Sequence, residues 1–297
     1  MMSPSLIAFV NTALVPIGLM LIMFSMGLTL RLADFGLVLA NRKPVLAGLF
    51  GQLMVMPLLA LALGWAFALP PALALGLFIL GICPAGTTSN AMTFVGRGNV
   101  ALAVVLTALS SLITVFSIPV LLNWALHHFA VEGTVPTLAI PDTMLQLVRL
   151  TVLPTGAGMI VRRFLPDLAQ RVSRWLRPVS LIVLLAVIAF AVGVSLDMVL
   201  GNLWSAGPAI WTLNVAAMLV GLALGRLIGT NEADTMTLAI EVGVHNVTLA
   251  IFLTQTVLNS LPLALTQNIY GVVMLLNGTI LVRWFRARVI AREGATA

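Results

Sequence analysis

The chain has 297 residues, of which 61% are hydrophobic and 8% charged, and its mean hydropathy is +1.13. That leaves too little polar surface to cover a water-soluble globule of this size, so the sequence reads as an all-α polytopic membrane protein. The net charge of +6 comes from basic residues scattered in short loops, which marks topology rather than a nucleic-acid surface, and the single cysteine, Cys83, excludes an intrachain disulfide or a multi-cysteine metal cage.

Taken in order, apolar runs separated by Pro, Gly or charge predict nine transmembrane helices, at residues 6–30, 43–68, 71–95, 100–126, 138–161, 178–196, 205–228, 234–257 and 263–290. The first charged residue is Arg31, so no basic segment precedes the first run, and it is expected to be kept as a helix rather than cleaved. Arg31, Arg42 and Lys43 fall in the first loop, Arg97 in the third, Arg162, Arg163, Arg171, Arg174 and Arg177 in the fifth, and Arg226 in the seventh. Arg283, Arg286, Arg288 and Arg292 mark the C-terminal end, and the even-numbered loops hold no Lys or Arg. This alternation predicts an outside N-terminus and a cytoplasmic C-terminus, with residues 291–297 as a short tail. One basic residue is left over, Arg149, inside the fifth run. It is either an anion-binding arginine or one that snorkels or pairs with Asp142, two turns earlier.

Phe24-Ser-Met-Gly-Leu-Thr-Leu30 closes the first run and Phe190-Ala-Val-Gly-Val-Ser-Leu196 closes the sixth, in opposite orientations. Helices six to nine then match one to four as an inverted repeat (4+5), the fifth is unpaired, and the third is the mate of the eighth. These mates carry the two polar islands of the sequence. Pro84 and Gly86 predict that the third helix opens near Ala85, with Thr87, Thr88, Ser89 and Asn90 as caps of a second half-helix. In the eighth, Gly243 permits a matching break beside Glu241, His245, Asn246 and Thr248. Glu241 is the one carboxylate deep in an apolar run, and an ionised carboxylate there costs several kcal/mol or more unless a cation or strong donors meet it. Two broken helices crossing at mid-membrane, building one ion site, is the expected arrangement. Each part also has a plainer reading: a Pro-Gly kink serves packing, Cys83 fills space, and a lone His245 is an interior histidine.

Phe24-Ser-Met-Gly-Leu, Gln52 with Met56-Pro-Leu-Leu59, Pro84-Ala-Gly-Thr-Thr-Ser-Asn90 and Glu241-Val-Gly-Val-His-Asn246 together resemble the bile acid:sodium symporter family over nearly the whole chain. The nine helices are similar to members that lack one N-terminal helix of a five-plus-five plan. The resemblance implies a panel domain (residues 1–30 and 138–200) and a core domain (43–126 and 205–290, with broken helices 71–95 and 234–257), substrate between them, and two sodium sites behind the crossing. For the first site the matching residues are Ser89, Asn90, Thr107 and Glu241, with Ala103 in place of a family serine. For the second they are Gln52, Glu241, Val242 and Val244, with His245 in place of a family glutamine. That histidine either weakens the second site or carries a proton in place of one sodium.

The expected function is a sodium-coupled secondary active transporter importing an organic anion, bile-acid-like or a small carboxylate such as a pantoate- or pyruvate-like acid. Thr87, Asn246 and Asn277 are the expected substrate contacts, and one or two sodium ions, with no organic cofactor, the expected co-substrate. The expected location is a bacterial inner (plasma) membrane. No nucleic acid and no obligate protein partner is inferred beyond the lipid bilayer. The alternative is a proton-coupled carrier using Glu241 and His245. A membrane hydrolase built on Ser89 or Cys83 with His245 lacks oxyanion donors and a group to orient the base, and a channel is disfavoured because the polar residues form a plug.

Overall fold

A computed structural model describes residues 9–36, 41–129, 138–194 and 196–295, with the side chains of Arg177 and of residues 289–295 outside the description. Besides a 3-10 turn at Leu32–Gly36, the described residues form eleven helical segments: α1 (Val10–Gly27), α2 (Arg42–Ala66), α3 (Pro71–Gly81), α4 (Thr87–Val95), α5 (Val100–Phe129), α6 (Ile140–Phe164), α7 (Pro166–Val194), α8 (Leu196–Leu227), α9 (Glu232–Gly243), α10 (Val247–Val257) and α11 (Leu261–Ala295). Seven of them, α1, α2, α5, α6, α7, α8 and α11, are long and apolar enough to cross a membrane. The protein is an integral membrane protein. The remaining four are two pairs of shorter helices, each pair separated by a few non-helical residues.

Several boundaries differ from expectation. Pro178 does not begin a helix but lies inside α7, and α8 starts at Leu196, so residues 197–204, expected as loop, are helical. The start expected at residue 6 lies outside the described residues. At the other end, α11 runs on to Ala295, so most of the expected tail is helix.

Three prolines shape the long helices. Pro16, Pro57 and Pro154 each follow a five-residue π-helical turn, Val10–Leu14, Gly51–Val55 and Val148–Val152. Proline lacks an N–H and crowds the carbonyl four residues back, and a widened turn accommodates both effects. The second of these turns carries Gln52 and the third carries Arg149 and Thr151.

Small residues let the helices approach closely, as packing in lipid requires. A Cβ added at Gly27 of α1 would fall on the Thr155 carbonyl of α6, and one at Gly158 would meet Phe24 and Leu28 in return. Gly221 of α8 packs against the backbone of Leu238 and Ala239 in α9 in the same way. At one end of the bundle, Asn99 holds the start of α5 to α9: its amide donates to Asp234 Oδ1 (2.7 Å), and its backbone N–H donates to Thr237 Oγ1 (2.8 Å).

Gly221→Val should therefore force α8 away from α9 and cost about 1–3 kcal/mol. It is expected to lower the midpoint of thermal unfolding in detergent. Gly156→Ala, where an added Cβ meets nothing within 4 Å, should leave that midpoint unchanged.

Candidate functional site

The two interruptions face each other. Between α3 and α4 the chain runs through Ile82-Cys83-Pro84-Ala85-Gly86, and between α9 and α10 through Val244-His245-Asn246. Ala85 and His245 form an antiparallel bridge, and the Asn246 N–H donates to the Pro84 carbonyl at 2.8 Å. The approach is close at Gly86, where a Cβ would stand 3.3 Å from Asn246 Cα. Both expected breaks are present, near Ala85 and after Gly243.

The expected caps of α4 are a different matter. Gly86 is the N-cap, with no side-chain cap bond, and Thr87 to Asn90 form the first helical turn. Ser89 Oγ instead donates back to the Gly86 carbonyl (2.6 Å). Asn246 does cap α10: its Oδ1 accepts from the Leu249 N–H at 3.0 Å.

Glu241 is fully buried in α9, two residues before the helix ends. Its Oε2 accepts from Thr107 Oγ1 of α5 at 2.9 Å. Thr107 Oγ1 also lies 3.0 Å from the Ala103 carbonyl and 3.4 Å from Asn90 Oδ1. Ser89 and Gln52 lie beside the same carboxyl group. Gln52 Nε2, presented by the π-turn of α2, donates to the Glu241 backbone carbonyl at 3.0 Å. Two oxygens, Glu241 Oε1 and Gln52 Oε1, are buried with no hydrogen-bond partner. A hydroxyl, amide and carboxylate oxygen set with two unsatisfied acceptors suits a hard monovalent cation. The structure thus brings Ser89, Asn90, Thr107, Gln52 and Glu241 to one place, from four helices. Val242 and Val244 are buried at the end of α9.

His245 is buried on the other side of the break. Its Nδ1 lies 3.4 Å from the Tyr270 hydroxyl, the rings meet edge to face, and its Nε2 has no partner. Tyr270, the chain's only tyrosine, is a residue the sequence reading missed. It donates to the Gly243 carbonyl (2.8 Å), which also accepts from Asn214 Nδ2 (2.8 Å). Asn277 donates to Asn214 Oδ1 at 2.8 Å, so this expected substrate contact stands in a chain of amides that ends on the broken helix. The signal for Tyr270 and Asn214 was available: both are polar-tipped side chains deep in apolar runs, where a partner is obligatory.

Thr87 and Asn90 line a cleft of about 540 Å3 between α1, α4 and α5, which also exposes Ser25 and Thr29. Arg149 lines a separate cleft of about 450 Å3 with Asp142, Gln146 and Thr256. Among the described residues it makes no ion pair with Asp142.

The model of the Sodium Bile acid symporter family matches residues 16–202. The chain belongs to this family. Over 253 residues it is 32% identical to the probable sodium/metabolite cotransporter BASS1, chloroplastic, of Arabidopsis thaliana, covering 85% of this chain and 62% of that protein. It is 29% identical over 297 residues to the uncharacterized sodium-dependent transporter YocS of Bacillus subtilis, covering 99% of this chain and 89% of that one. It is 27% identical over 253 residues to the ileal sodium/bile acid cotransporter of Cricetulus griseus, with 82% and 69% covered. All three family relatives are named as transporters or cotransporters, and none as an enzyme.

Tyr270→Phe removes one of the two donors to the Gly243 carbonyl and the contact to His245. It should cost about 0.5–1.5 kcal/mol, read as a lowered unfolding midpoint. Asn214→Ala should cost at least as much, because it frees Gly243 and Asn277 together.

Proposed function

We propose that the protein is a sodium-coupled secondary active transporter that imports an organic anion. The observation that carries this reading is Glu241: a fully buried carboxylate with one oxygen unpartnered, surrounded by Ser89, Thr107 and Gln52 and beside Asn90. Such a group is stable at this depth when a cation compensates it. In this reading Ser89, Asn90, Thr107 and Glu241 hold one sodium ion. Gln52, Glu241, the backbone of Val242 and Val244, and His245 form a second position.

Each interrupted pair counts as one span. Nine spans follow, arranged as an inverted repeat in which α3/α4 and α9/α10 are mates. Helices α1, α6 and α7 make the panel and the rest the core, which moves against it. Basic residues at alternate loops put the N-terminus outside and the C-terminus in the cytoplasm of a bacterial inner (plasma) membrane. The cleft beside Thr87 and Asn90 reaches toward Thr29, Val95 and Val100, the end that carries Arg31 and Arg97. It is the cytoplasmic exit. Thr87, Asn246 and Asn277 contact substrate or hold the residues that do.

Coupling follows from the shared break. A cation that draws Glu241, Ser89 and Gln52 together fixes the backbone at residues 82–86 and 244–246, and so raises the affinity for an anion bound at the half-helix ends. By linkage, the anion raises cation affinity equally. The rival is proton coupling through Glu241 and the unpartnered Nε2 of His245.

The deciding measurement is thermal stability in detergent across a sodium series against matched potassium, at pH 6 and pH 8. Sodium at about 100 times its dissociation constant should add roughly 2.7 kcal/mol to the wild type, and nothing to Glu241→Ala. Ser89→Ala and Thr107→Ala should each raise the sodium concentration for half-maximal effect about tenfold. If stability and uptake ignore sodium and follow pH instead, the proton-coupled rival replaces this reading.

A further inference from the structure

The hairpin of α6 and α7 holds a concentration of positive charge at its turn. Residues 162–177 contain five arginines, Arg162, Arg163, Arg171, Arg174 and Arg177, and one acid, Asp167. Arg162 is used locally, where its Nη1 donates to the Pro166 carbonyl at 3.2 Å across the turn. Arg163, Arg171 and Arg174 are exposed, and among the described residues none of them has an ion-pair or hydrogen-bond partner.

The two sides of α7 fix where these groups point. Its buried stripe runs through Ala169, Ser173, Ser180, Leu184, Val187 and Ala191, spacings that keep one side of a 3.6-residue helix against the bundle. The opposite side carries Leu168, Arg171, Arg174 and Trp175, then Ile182 and Leu185, all exposed. One outward face therefore passes from arginines and a tryptophan into plain apolar side chains. The change falls at Pro178, after which residues 178–194 contain no charge. They rise about 26 Å at 1.5 Å per residue, close to the hydrocarbon thickness of a bilayer. Arg174 and Arg171 then stand about 6 and 10 Å beyond the apolar stretch, at the depth of the lipid headgroups. Trp175, 75% exposed beside them, is the side-chain type that favours this interface.

We infer that this face of α7 binds the headgroup of an anionic phospholipid, with Arg171 and Arg174 on the phosphodiester and Trp175 against the glycerol. Residues three apart on a helix are surface neighbours, about 5–6 Å between Cβ atoms, so one phosphate can take paired N–H donors from both guanidinium groups. A zwitterionic lipid brings the same phosphate together with a cation that the arginines repel, so the face selects lipids of net negative charge. A free anion lacks the acyl chains that would lie along the apolar stretch past Ile182 and Leu185. The site goes beyond the carrier reading and does not depend on it. Occupied, it sets the depth at which the hairpin sits in the bilayer.

The test is native mass spectrometry of the detergent-purified full chain titrated with phosphatidylglycerol or phosphatidylcholine of the same acyl chains, with inorganic phosphate added as competitor. The variants are Arg171→Gln/Arg174→Gln and Arg283→Gln/Arg286→Gln, the second removing equal charge from another exposed pair of the same spacing. Phosphatidylglycerol should bind the wild type about tenfold more tightly than phosphatidylcholine does. Arg171→Gln/Arg174→Gln should weaken it about thirtyfold, and Arg283→Gln/Arg286→Gln less than about threefold. The lipid-free unfolding midpoint of the first variant should match the wild type, because exposed arginines without partners hold no part of the fold together. The site is overturned by equal affinity for the two lipids, or by affinity within about twofold of wild type in Arg171→Gln/Arg174→Gln. An equal loss in Arg283→Gln/Arg286→Gln also overturns it, since overall charge would then account for binding, as does displacement of the lipid by inorganic phosphate. A wild-type dimer that the first variant breaks would assign the face to a second copy of the chain instead.

Discussion

Two stretches of chain at mid-bundle give up helical hydrogen bonding, and each is made tolerable by the other. In a hydrocarbon environment an unpaired peptide group costs several kcal/mol, so non-helical backbone survives only where protein or a bound ion meets it. Here the Asn246 N–H meets the Pro84 carbonyl, Ala85 pairs with His245, and the Gly243 carbonyl is met from two sides by Asn214 and Tyr270. The buried carboxylate and the polar groups that meet it lie beside this junction. Glu241 is near it because α9 ends there, and Thr107 and Gln52 are aimed at Glu241 by helices that pack against α9.

The arrangement explains why the polar groups do not line a continuous path. Glu241 and His245 are on one segment but look into different surroundings, the first into oxygens from α2, α4 and α5, the second toward Tyr270 of α11. In the proposed reading the junction separates a cation-binding environment from an anion-binding one while sharing a few peptide groups between them. Shared backbone is a short and stiff link, which suits a carrier in which binding on one side must be felt on the other.

Much of this was legible in the sequence. Pro84, Gly86 and Gly243 announce the breaks because their backbone chemistry is local, and Glu241 announces a site because a buried charge requires partners wherever it lies. The family's motifs added Gln52 and Thr107, which pattern alone does not link to Glu241. Other features were not readable because they depend on three-dimensional neighbours. The π-turns that present Gln52 and Arg149 arise from a proline a few residues on, and proline more often signals a helix start or kink. Pro178 was read as a helix start, yet it sits inside a long helix. Ser89 looked like a cap and instead bonds backward to Gly86, and Tyr270 matters only because α11 passes behind Gly243.

The pairing of breaks that are 160 positions apart also bears on how the chain is made. A segment as short as α10, following a carboxylate and an unwound tripeptide, is a poor passenger for insertion machinery that judges one stretch of hydrophobicity at a time. Its counterparts, the Pro84 carbonyl and the Thr107 hydroxyl, are synthesised long before it. The order of the chain thus puts the groups that meet the late break in place before that break is made.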